Sequence, residues 1–470
     1  MPGRFIGILL LFVTISLHAA ESYPRLKPGG DPSQRGTALQ RTMTMLQSSA
    51  IEKKNTVRIL FYGQSITEQA WWLQVRQDLQ KRFPLATLEI ENRAIGGHSS
   101  QLLCRTAEAD LYPFYPDLVI FHVYGAHDRY EDIIRRIRER TTAEVLIQSD
   151  HPGAKDSLDE VTDPGKLTTE QWNPWMKYVF LPATAKKYGC EFLPQRDLWK
   201  QYLRENKLEP RALLKDDVHL NDHGCFLMAE IVKTALVFQK ANNDEAWRGL
   251  VKELPLTSAS WKDAKLKVEF EGNRVDGVFG GAATGGASGE GIMKIDGKAP
   301  EEIRQIYAFT RTTAWPGSNW PCLLRVQRGP AQLKDEEWTV TLAHASDDYK
   351  SFLFSLTGSK TGPDGIGSAG KKFVSKSGRI VIEPEDWNLQ YCRKVHGRKL
   401  DDGFRITWKS VPQWNALPLV RGTFVQGLNN GKHTIELSGR ALENSGLSSL
   451  RIYRPPFPQT EDPAADVSGK

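Results

Sequence analysis

The feature that most constrains the fold is a change in hydrophobic periodicity about halfway along the chain. From residue 57 to about residue 240, short β-branched runs alternate with longer stretches that carry apolar residues at helical spacing. Such alternation is typical of a parallel sheet whose strands are connected by helices. After Glu253 the helical spacing disappears, and short strand-like runs recur between Gly, Asn and Asp. The sequence therefore predicts an α/β domain followed by an all-β sandwich of jelly-roll type.

Both halves of the chain contain runs specific enough to be assigned individually. The first half is predicted to hold strands at 57–62, 87–91, 118–124 and 145–148, and helices at 72–83, 130–140, 170–188 and 224–238. The second half is predicted to hold strands at 266–270, 338–342, 352–356, 380–382, 404–408 and 433–437. The glycine-dense stretch 280–291 lacks the ending of a phosphate-binding loop and is interpreted as a loop between strands.

A chain of 470 residues is too long for one core, because a single core stops growing at roughly 250–300 residues. We expect the following division: signal peptide 1–20, N-terminal extension 21–50, α/β domain 51–245, linker 246–260, sandwich 261–455 and disordered tail 456–470.

The first twenty residues have the composition of an export signal. Arg4 precedes an apolar run that continues to Leu17, and small residues at Ala19 and Ala20 come before a polar stretch. This pattern predicts a secretory signal peptide cleaved near Ala20. Since the run is shorter than the roughly 20 residues that span a bilayer, we expect a secreted or periplasmic protein without membrane insertion.

Charge and cysteine content exclude several function classes. The formal net charge is +6 and no long block of one sign occurs, so no nucleic-acid partner is expected. Five cysteines are too few and too scattered for a disulfide scaffold or a CxxC zinc site, and they allow one or two bridges at most. The cysteines are Cys104, Cys190, Cys225, Cys322 and Cys392.

A serine stands where the first predicted strand gives way to a helix. Ser65 lies in the segment Gly-Gln-Ser-Ile-Thr, at the carboxyl end of a central parallel strand, where open α/β sheets bind their ligands. A serine there can attack a carbonyl carbon if a base takes its proton and N–H groups receive the oxyanion. Serine is also a common N-cap residue, so position alone does not decide between catalysis and capping.

A candidate base lies just before the last helix of the α/β half. Asp216 and His219 are three residues apart on a predicted turn, so the carboxylate can orient the imidazole that is presented to the serine. The same segment, with Asp222 and His223, also allows a metal-ligand interpretation. No further ligand cluster accompanies these residues in the sequence, and we expect neither a metal nor another cofactor.

Four segments in this order resemble the conserved blocks of the SGNH (GDSL-type) hydrolases. They are the serine segment, residues 92–97 after the second strand, residues 124–128 after the third, and Asp216-x-x-His219 at the end. The resemblance covers about residues 57–238. It implies a three-layer SGNH-like fold, a nucleophilic Ser65, and Asp216 with His219 as the rest of a triad. It also implies an oxyanion hole built from Ser65, Gly97 and the third-block residue.

Two positions depart from the family pattern. Gln64 stands where the family usually has Asp, and its amide can still hold the turn. His127 stands where the family has its oxyanion asparagine, and a neutral imidazole N–H can donate the same hydrogen bond. Because histidine can also act as an acid or a base, this substitution leaves room for a reaction other than ester hydrolysis.

The resemblance implies a carbohydrate esterase that removes O-acyl groups, above all acetyl, from a polysaccharide or oligosaccharide. Gln64, Trp71, Trp72, His98 and Tyr124 follow the serine turn or flank neighbouring strand ends and are predicted to bind substrate. Tryptophans of the sandwich, such as Trp408 and Trp414, could stack on sugars or belong to the core.

Two other functions remain open from the sequence. One is a polysaccharide lyase on the same scaffold, in which His127, Tyr124 or His219 would carry out β-elimination on a uronic-acid glycan. The other is a non-catalytic glycan-binding protein. Retention of Ser65, Asp216 and His219 together argues against the second.

Overall fold

The computed structural model describes residues 23–240, 245–280, 291–415 and 422–460. The predicted signal peptide, most of the glycine-dense loop and residues 461–470 of the predicted tail lie outside the described residues. Within the described ranges, no helix is long and apolar enough to cross a membrane.

The first half is built around a five-stranded parallel sheet in the order β2-β1-β3-β4-β5. The strands are β1 (Thr56–Gly63), β2 (Thr87–Asn92), β3 (Leu118–His122), β4 (Glu144–Gln148) and β5 (Glu191–Leu193). All four predicted strands are present. The strand β1 pairs with a neighbour on each side, and its Ile59 lies opposite Ile90 of β2 and Leu118 of β3.

Helices cover both faces of this sheet, as the alternation of side chains along β1 shows. Ile59 and Phe61 belong to one buried cluster, together with residues of α1, α3, α8 and α9. Leu60 and Tyr62 belong to the opposite cluster, with residues of α4, α5 and α7. The helices are α1 (Gln40–Gln47), α2 (Ser65–Glu68), α3 (Trp71–Arg82), α4 (Ser100–Asp110), α5 (His127–Arg140), α6 (Trp172–Trp175), α7 (Leu181–Tyr188), α8 (Gln195–Glu205) and α9 (Asp222–Ala235), and the π-helical turn Met176–Phe180 joins α6 to α7. The predicted three-layer α/β fold is confirmed.

In its described ranges, the second half is all-β apart from short 3-10 turns and two short α-helices, α10 (Leu389–His396) and α11 (Arg440–Glu443). Its three antiparallel sheets have the orders β6-β18-β7-β17-β8, β13-β12-β11-β16-β9 and β10-β15-β14. The strands are β6 (Val251–Pro255), β7 (Lys265–Phe279), β8 (Ile292–Ile295), β9 (Tyr307–Phe309), β10 (Gln327–Arg328), β11 (Glu336–Ala343), β12 (Leu353–Gly358), β13 (Gly362–Ser368), β14 (Phe373–Val374), β15 (Ile380–Ile382), β16 (Arg405–Pro412), β17 (Gly422–Ser438) and β18 (Leu447–Tyr453). The β-sandwich predicted after the α/β domain is thus confirmed.

The two halves share one buried core. The apolar cluster beneath α4 and α5 continues into the sheet that contains β11 and β16, where Trp338 and Trp408 are buried. Buried polar contacts join the halves as well: Arg311 forms a double hydrogen bond, 2.8 Å each, with the carboxylate of Asp110. Trp408 therefore belongs to the core, which decides between the two roles that the sequence left open for it.

Several segments that the sequence set apart are integrated into the fold. In the predicted extension, the main-chain N–H groups of Arg41 and Thr42 donate to the Glu144 carboxylate. The predicted linker 246–260 contains β6, which pairs with β18 as the edge of a sheet. In the predicted tail, the N–H of Phe457 donates to the carbonyl of Arg138. All five cysteines are buried and free.

Candidate active site

The turn between β1 and α2 places Ser65 at the carboxyl edge of the sheet. The turn is tight: a Cβ atom at Gly63 would lie 2.2 Å from the Thr67 hydroxyl and 2.3 Å from the carbonyl oxygen of His122. Only glycine fits there. The chain turns at once into α2, whose first residue is Ser65, and the half-buried hydroxyl stands at the strand end.

Ser65, His219 and Asp216 form a continuous hydrogen-bonded line. Oγ of Ser65 lies 3.0 Å from Nε2 of His219, and Nδ1 of His219 lies 2.8 Å from Oδ2 of Asp216. A carboxylate only accepts, so Nδ1 carries the proton and Nε2 of the neutral ring accepts from the serine hydroxyl. This is the arrangement in which an imidazole acts as general base toward a serine.

The carboxylate of Asp216 is held in its ionised form by main-chain donors. Its Oδ1 accepts hydrogen bonds from the N–H groups of His219 at 2.7 Å and Val218 at 2.9 Å. Because these bonds favour the charged form, they hold the pKa of Asp216 well below its usual range, and the contact with the His219 ring adds to the effect. The orienting group therefore remains an anion across the neutral range.

The loop that carries Asp216 and His219 is fixed on both sides of the histidine. The Gln69 side chain forms a pair of hydrogen bonds with Leu220, accepting from its N–H at 3.0 Å and donating to its carbonyl at 2.8 Å. On the other side, Nε2 of His151 lies 2.7 Å from the carbonyl oxygen of Val218. Gln69 follows the serine helix directly, so this pairing joins the loop that carries His219 to the turn that carries Ser65.

Two main-chain N–H groups are available for an oxyanion. The N–H of Ser65 begins α2 and has no partner within the helix, and no described group accepts from the N–H of Gly97. The neighbouring Gly96 differs, because its N–H donates to the Glu68 carboxylate at 2.8 Å. Gly97 has φ +74°, and a Cβ there would lie 2.5 Å from the Trp320 ring, so conformation and packing both require glycine.

His127 lies among aromatic rings at the start of α5. Its ring stacks on Trp172, with centroids 5.3 Å apart, and contacts Trp175 and Phe180. Burial lowers the pKa of His127, and its Nε2 has no hydrogen-bond partner among the described residues. No hydrogen bond or ring contact joins His127 to Ser65 or His219 in the part of the chain that the structure describes. The oxyanion role of His127 stays a prediction.

The predicted substrate residues fall into two groups. Gln64 and Tyr124 meet at the site: the Gln64 amide donates to the carbonyl of Tyr124 at 3.0 Å, and both are half-buried. Trp72 is half-buried and contacts Phe61. Trp71 and His98, in contrast, are fully buried. The structure thus places Trp71 and His98 in the interior rather than on a cleft wall.

The contacts of the two buried residues explain their positions. Trp71 shares the inward face of α3 with residues four and eight positions later, and its indole N–H donates to the carbonyl of Ile66 at 2.6 Å. His98 lies in the interface between the halves, where its ring contacts Trp320 and Tyr391. Desolvation lowers the pKa of His98 to about 4.

Sequence reasoning did not find the residues of the all-β half that border the turn at Gly96 and Gly97. Asn319 donates to the Glu68 carboxylate at 2.8 Å, the Tyr391 hydroxyl donates to the carbonyl of Gly97 at 2.9 Å, and Trp320 packs on Gly97. These residues lie more than 220 positions from their partners, and no local pattern marks them.

His223, which belongs to the metal-ligand interpretation of the last segment, contacts two tyrosine side chains. His223 lies 2.7 Å from the Tyr202 hydroxyl through its Nε2 and stacks on Tyr23. Among the described residues, no group of three or more His, Cys, Asp or Glu side chains is arranged to hold a metal ion.

Comparison with known proteins finds partial similarity to solved structures only. No model of a known protein family matches the chain, and no curated protein matches it. A GDSL-like lipase from Parabacteroides merdae is 18% identical, with 40% of this chain and 99% of that one covered and a TM-score of 0.31. An acetylxylan esterase from Geobacillus stearothermophilus is 18% identical over 40% of this chain and 97% of that one, with a TM-score of 0.33. At scores this low, the assignment of a reaction rests on the geometry of the site itself.

Proposed function

We propose that this protein is a serine ester hydrolase that removes acyl groups, chiefly acetyl, from a polysaccharide. The observation that carries the proposal is the line of three side chains in which Ser65, His219 and Asp216 are joined by contacts of 3.0 and 2.8 Å. The serine of that line stands at the carboxyl edge of a parallel sheet, the usual ligand-binding edge of such sheets.

The reaction follows from the protons that these atoms hold. Oγ of Ser65 attacks the ester carbonyl carbon while Nε2 of His219 takes its proton, and Asp216 stabilises the imidazolium that results. The N–H groups of Ser65 and Gly97 stabilise the oxyanion, with His127 as the predicted third donor. Collapse of the intermediate breaks the ester bond, and the sugar hydroxyl leaves with the proton from His219. Water, deprotonated by the same histidine, then releases the acid and regenerates Ser65.

Aromatic side chains beside the site support a carbohydrate substrate. Tyr124, whose carbonyl accepts from Gln64, packs edge-to-face against Trp172 with ring centroids 4.9 Å apart. Trp172 and Trp175 are half-buried, so part of each indole stays accessible beside the strand ends. Sugar rings commonly stack on such surfaces, and the resemblance to SGNH hydrolases points to the same substrate class. With the predicted signal peptide, we propose action outside the cytoplasm, in the periplasm or beyond.

The elimination alternative receives less support from the same residues. The Tyr124 hydroxyl donates to Oδ1 of Asn173 at 3.0 Å, and burial raises the pKa of the phenol far above its usual range. A base for β-elimination needs a lowered pKa, so this environment acts in the wrong direction. Nε2 of His219 is already hydrogen-bonded to Ser65.

The test compares wild-type protein, Ser65→Ala and the matched control Ser448→Ala on acetylated xylan and on a uronic-acid polysaccharide. Ser448 is exposed on β18, and its hydroxyl donates to the carbonyl of Val278, so its loss should leave activity unchanged. Acetate release is measured separately from the ultraviolet absorbance of an unsaturated product. We expect acetate release only, and a loss of at least about a thousandfold in Ser65→Ala. An alanine variant that keeps more than about a tenth of the activity, or a product that absorbs, would contradict the proposal.

A further inference from the structure

A lysine without a contact partner lies beside the serine site, on the π-helical turn Met176–Phe180. Lys177 is only 3% exposed, yet its ammonium forms neither a hydrogen bond nor an ion pair with any described residue. Lys200, which is equally buried, shows the usual arrangement, because its Nζ lies 2.6 Å from the Glu160 carboxylate. A buried charge is costly unless a partner contacts it, so the position of Lys177 requires a reason.

Tyr124 connects Lys177 to the serine site. Nζ of Lys177 lies 5.9 Å from the centroid of the Tyr124 ring, within the range of a cation–π contact. The main-chain carbonyl of the same tyrosine accepts from the Gln64 side chain at 3.0 Å, and Gln64 directly precedes Ser65. The ammonium therefore lies at the carboxyl edge of the sheet, one tyrosine away from the turn that carries the serine.

The carboxylates around the ammonium already contact other groups. Asp150 lies 3.2 Å from Nδ1 of His151, and the guanidinium of Arg196 donates to Asp156 at 2.9 Å and to Glu160 at 2.7 Å. Burial lowers the pKa of the lysine, and these more distant carboxylates, first of all Asp150, oppose that shift without cancelling it. The ammonium thus has attractive charges at a distance but no oxygen in contact.

A second free donor stands next to Lys177. Asn173 lies four residues earlier in the continuous helical segment 172–188, so the two side chains are neighbours on one face. Its Oδ1 accepts from the Tyr124 hydroxyl at 3.0 Å, while its Nδ2 makes no hydrogen bond with a described residue. Asn173 is exposed and Nζ of Lys177 keeps some contact with solvent, so a ligand can reach both donors.

An ammonium and an amide N–H side by side match the two oxygens of a carboxylate, which only accepts. Charge-assisted hydrogen bonds of this kind are roughly twice as strong as neutral ones. A carboxylate bound there would also supply the contact partner that the buried lysine lacks. A neutral sugar hydroxyl could accept from the same donors, but it would leave the charge uncompensated.

We propose that Lys177 and Asn173 bind a carboxylate of the substrate, and that this carboxylate belongs to a uronic-acid residue of the polysaccharide. The inference rests on the proposed function, because it identifies the substrate of the serine site as an acetylated acidic glycan. Lys177 then acts as a specificity residue beside the reacting atoms. An acidic substrate should be preferred over a neutral one, and the preference should weaken as salt rises.

The experiment compares kcat/KM for acetate release from acetylated trigalacturonate and acetylated xylotriose, matched in acetyl content. We expect the wild type to prefer the acidic substrate at least about tenfold. Lys177→Met keeps an unbranched side chain without the charge, and should reduce that preference about tenfold or more. Asn173→Ala should reduce it less. The matched control is Lys186→Met, which removes an exposed lysine of α7 and should keep the wild-type preference.

Binding measured without turnover separates this proposal from the serine mechanism. Calorimetry on Ser65→Ala with non-acetylated trigalacturonate should detect binding, and Lys177→Met added to that variant should weaken it at least about tenfold. Trigalacturonate should also inhibit the wild-type hydrolysis of p-nitrophenyl acetate competitively, since the carboxylate binds beside Ser65. A Ser65→Ala protein that still releases acetate would refute the serine mechanism but would leave the calorimetric result in force.

Several outcomes would overturn the proposal. They are equal kcat/KM for the two acetylated substrates, an unchanged preference in Lys177→Met, and inhibition by trigalacturonate that is not competitive. A preference for p-nitrophenyl succinate over the acetate that depends on Lys177 would place the carboxylate on the acyl group instead. An unsaturated product from trigalacturonate would assign the lysine to elimination. Circular dichroism checks the folding of Lys177→Met; if this variant is unfolded, the wild-type preference and its decrease with salt decide.

Discussion

Nε2 of His151 lies 2.7 Å from the carbonyl oxygen of Val218, the residue directly before His219 in the loop that also carries Asp216. A carbonyl oxygen only accepts, so this nitrogen carries a proton. The other ring nitrogen lies 3.2 Å from the Asp150 carboxylate, which is also 3.3 Å from Nε2 of His122. His151 is nearly fully buried, so a fixed side chain three residues after β4 supports the loop that carries His219.

We predict that His151→Phe lowers kcat while leaving KM nearly unchanged. The phenyl ring fills the space but cannot donate to Val218, so the His219 ring loses part of its positioning. Small misplacements of catalytic groups cost up to about a hundredfold in rate. Steady-state kinetics on p-nitrophenyl acetate measure the effect. His151→Gln keeps a donor and should recover part of the rate; equal losses in the two variants would argue against the positioning role.

We predict that Asp216→Asn lowers kcat by about a hundredfold to ten-thousandfold. An amide can donate to Nδ1 of His219, which favours the tautomer with its proton on Nε2 and removes the acceptor for Ser65. Asp217→Asn is the matched control, since the Asp217 carboxylate contacts Arg211 at 2.9 Å and Lys155 at 3.1 Å rather than the imidazole. Kinetics that are equal for the two variants would contradict the orienting role of Asp216.

Local sequence patterns were sufficient to identify Ser65, Asp216 and His219, the three side chains that the structure joins by hydrogen bonds. The strand-to-helix turn at Ser65 is encoded within a few residues, because an apolar run ends at Gly63 and a helix begins two residues later. The turn that joins Asp216 to His219 is equally local, since the carboxylate accepts from main-chain groups two and three positions later. Both segments could therefore be identified without knowledge of the rest of the chain.

The surroundings of the turn at Gly97 could not be predicted in this way. Trp320 and Tyr391 reach Gly97 only because the all-β half packs against the α/β half, and no spacing in the sequence encodes that contact. The burial of His98 has the same cause. Trp71 differs, because its spacing to Val75 and Leu79 was a sequence signal for the inward face of α3, although Trp71 was predicted to bind substrate. The strand β6, within the predicted linker, was not recognised for a similar reason: it is short, and only its pairing with β18 identifies it as a strand.

We predict that the stability of the protein falls between neutral and mildly acidic pH through His98. Its pKa is about 4 in the folded protein and close to the ordinary 6.5 when unfolded, so the unfolded chain binds the extra proton in between. This contribution is fully present above pH about 6.5 and is lost as pH falls toward 4, at a cost of up to about 3 kcal/mol. Urea unfolding at about pH 7 and about pH 4.5 measures the difference.

The variant that tests this assignment is His98→Phe, which keeps an aromatic ring beside Trp320 without a titrating nitrogen. The loss of stability on acidification should be smaller in this variant than in the wild type. The exposed His344 serves as the control, and His344→Asn should retain the wild-type pH dependence. An unchanged acid loss in His98→Phe would assign the effect to other groups.

We predict that Arg311→Met destabilises the whole protein in a single transition. The Asp110 carboxylate is 2% exposed, and removal of its partner leaves a buried charge uncompensated, which costs about 3 kcal/mol or more. Because the two halves share a core, urea should unfold them together, as measured by tryptophan fluorescence and circular dichroism. Arg451→Met is the control, since its pair with Glu253 is partly exposed and should contribute less than about 1 kcal/mol. Two separate transitions would contradict a shared core.

The last prediction concerns His127, where the site departs from the asparagine of the SGNH pattern. If the neutral imidazole donates to the oxyanion, His127→Asn keeps an N–H donor and should lower kcat by less than about tenfold, although it loses ring contacts with Trp172 and Phe180. His127→Phe keeps those contacts and loses the donor, so it should lower kcat by about a hundredfold or more. Steady-state kinetics with circular dichroism separate catalysis from folding.

The relative loss of kcat in the two variants decides the role of the His127 ring. A larger loss of kcat in His127→Asn than in His127→Phe would show that His127 acts by packing within the aromatic cluster. Losses of about a hundredfold or more in both, with Ser65→Ala still active, would indicate acid–base chemistry, because neither replacement can transfer a proton. Burial lowers the pKa of His127, so the ring is neutral and able to donate without a charge at neutral pH. We therefore expect the Asn variant to remain the more active of the two.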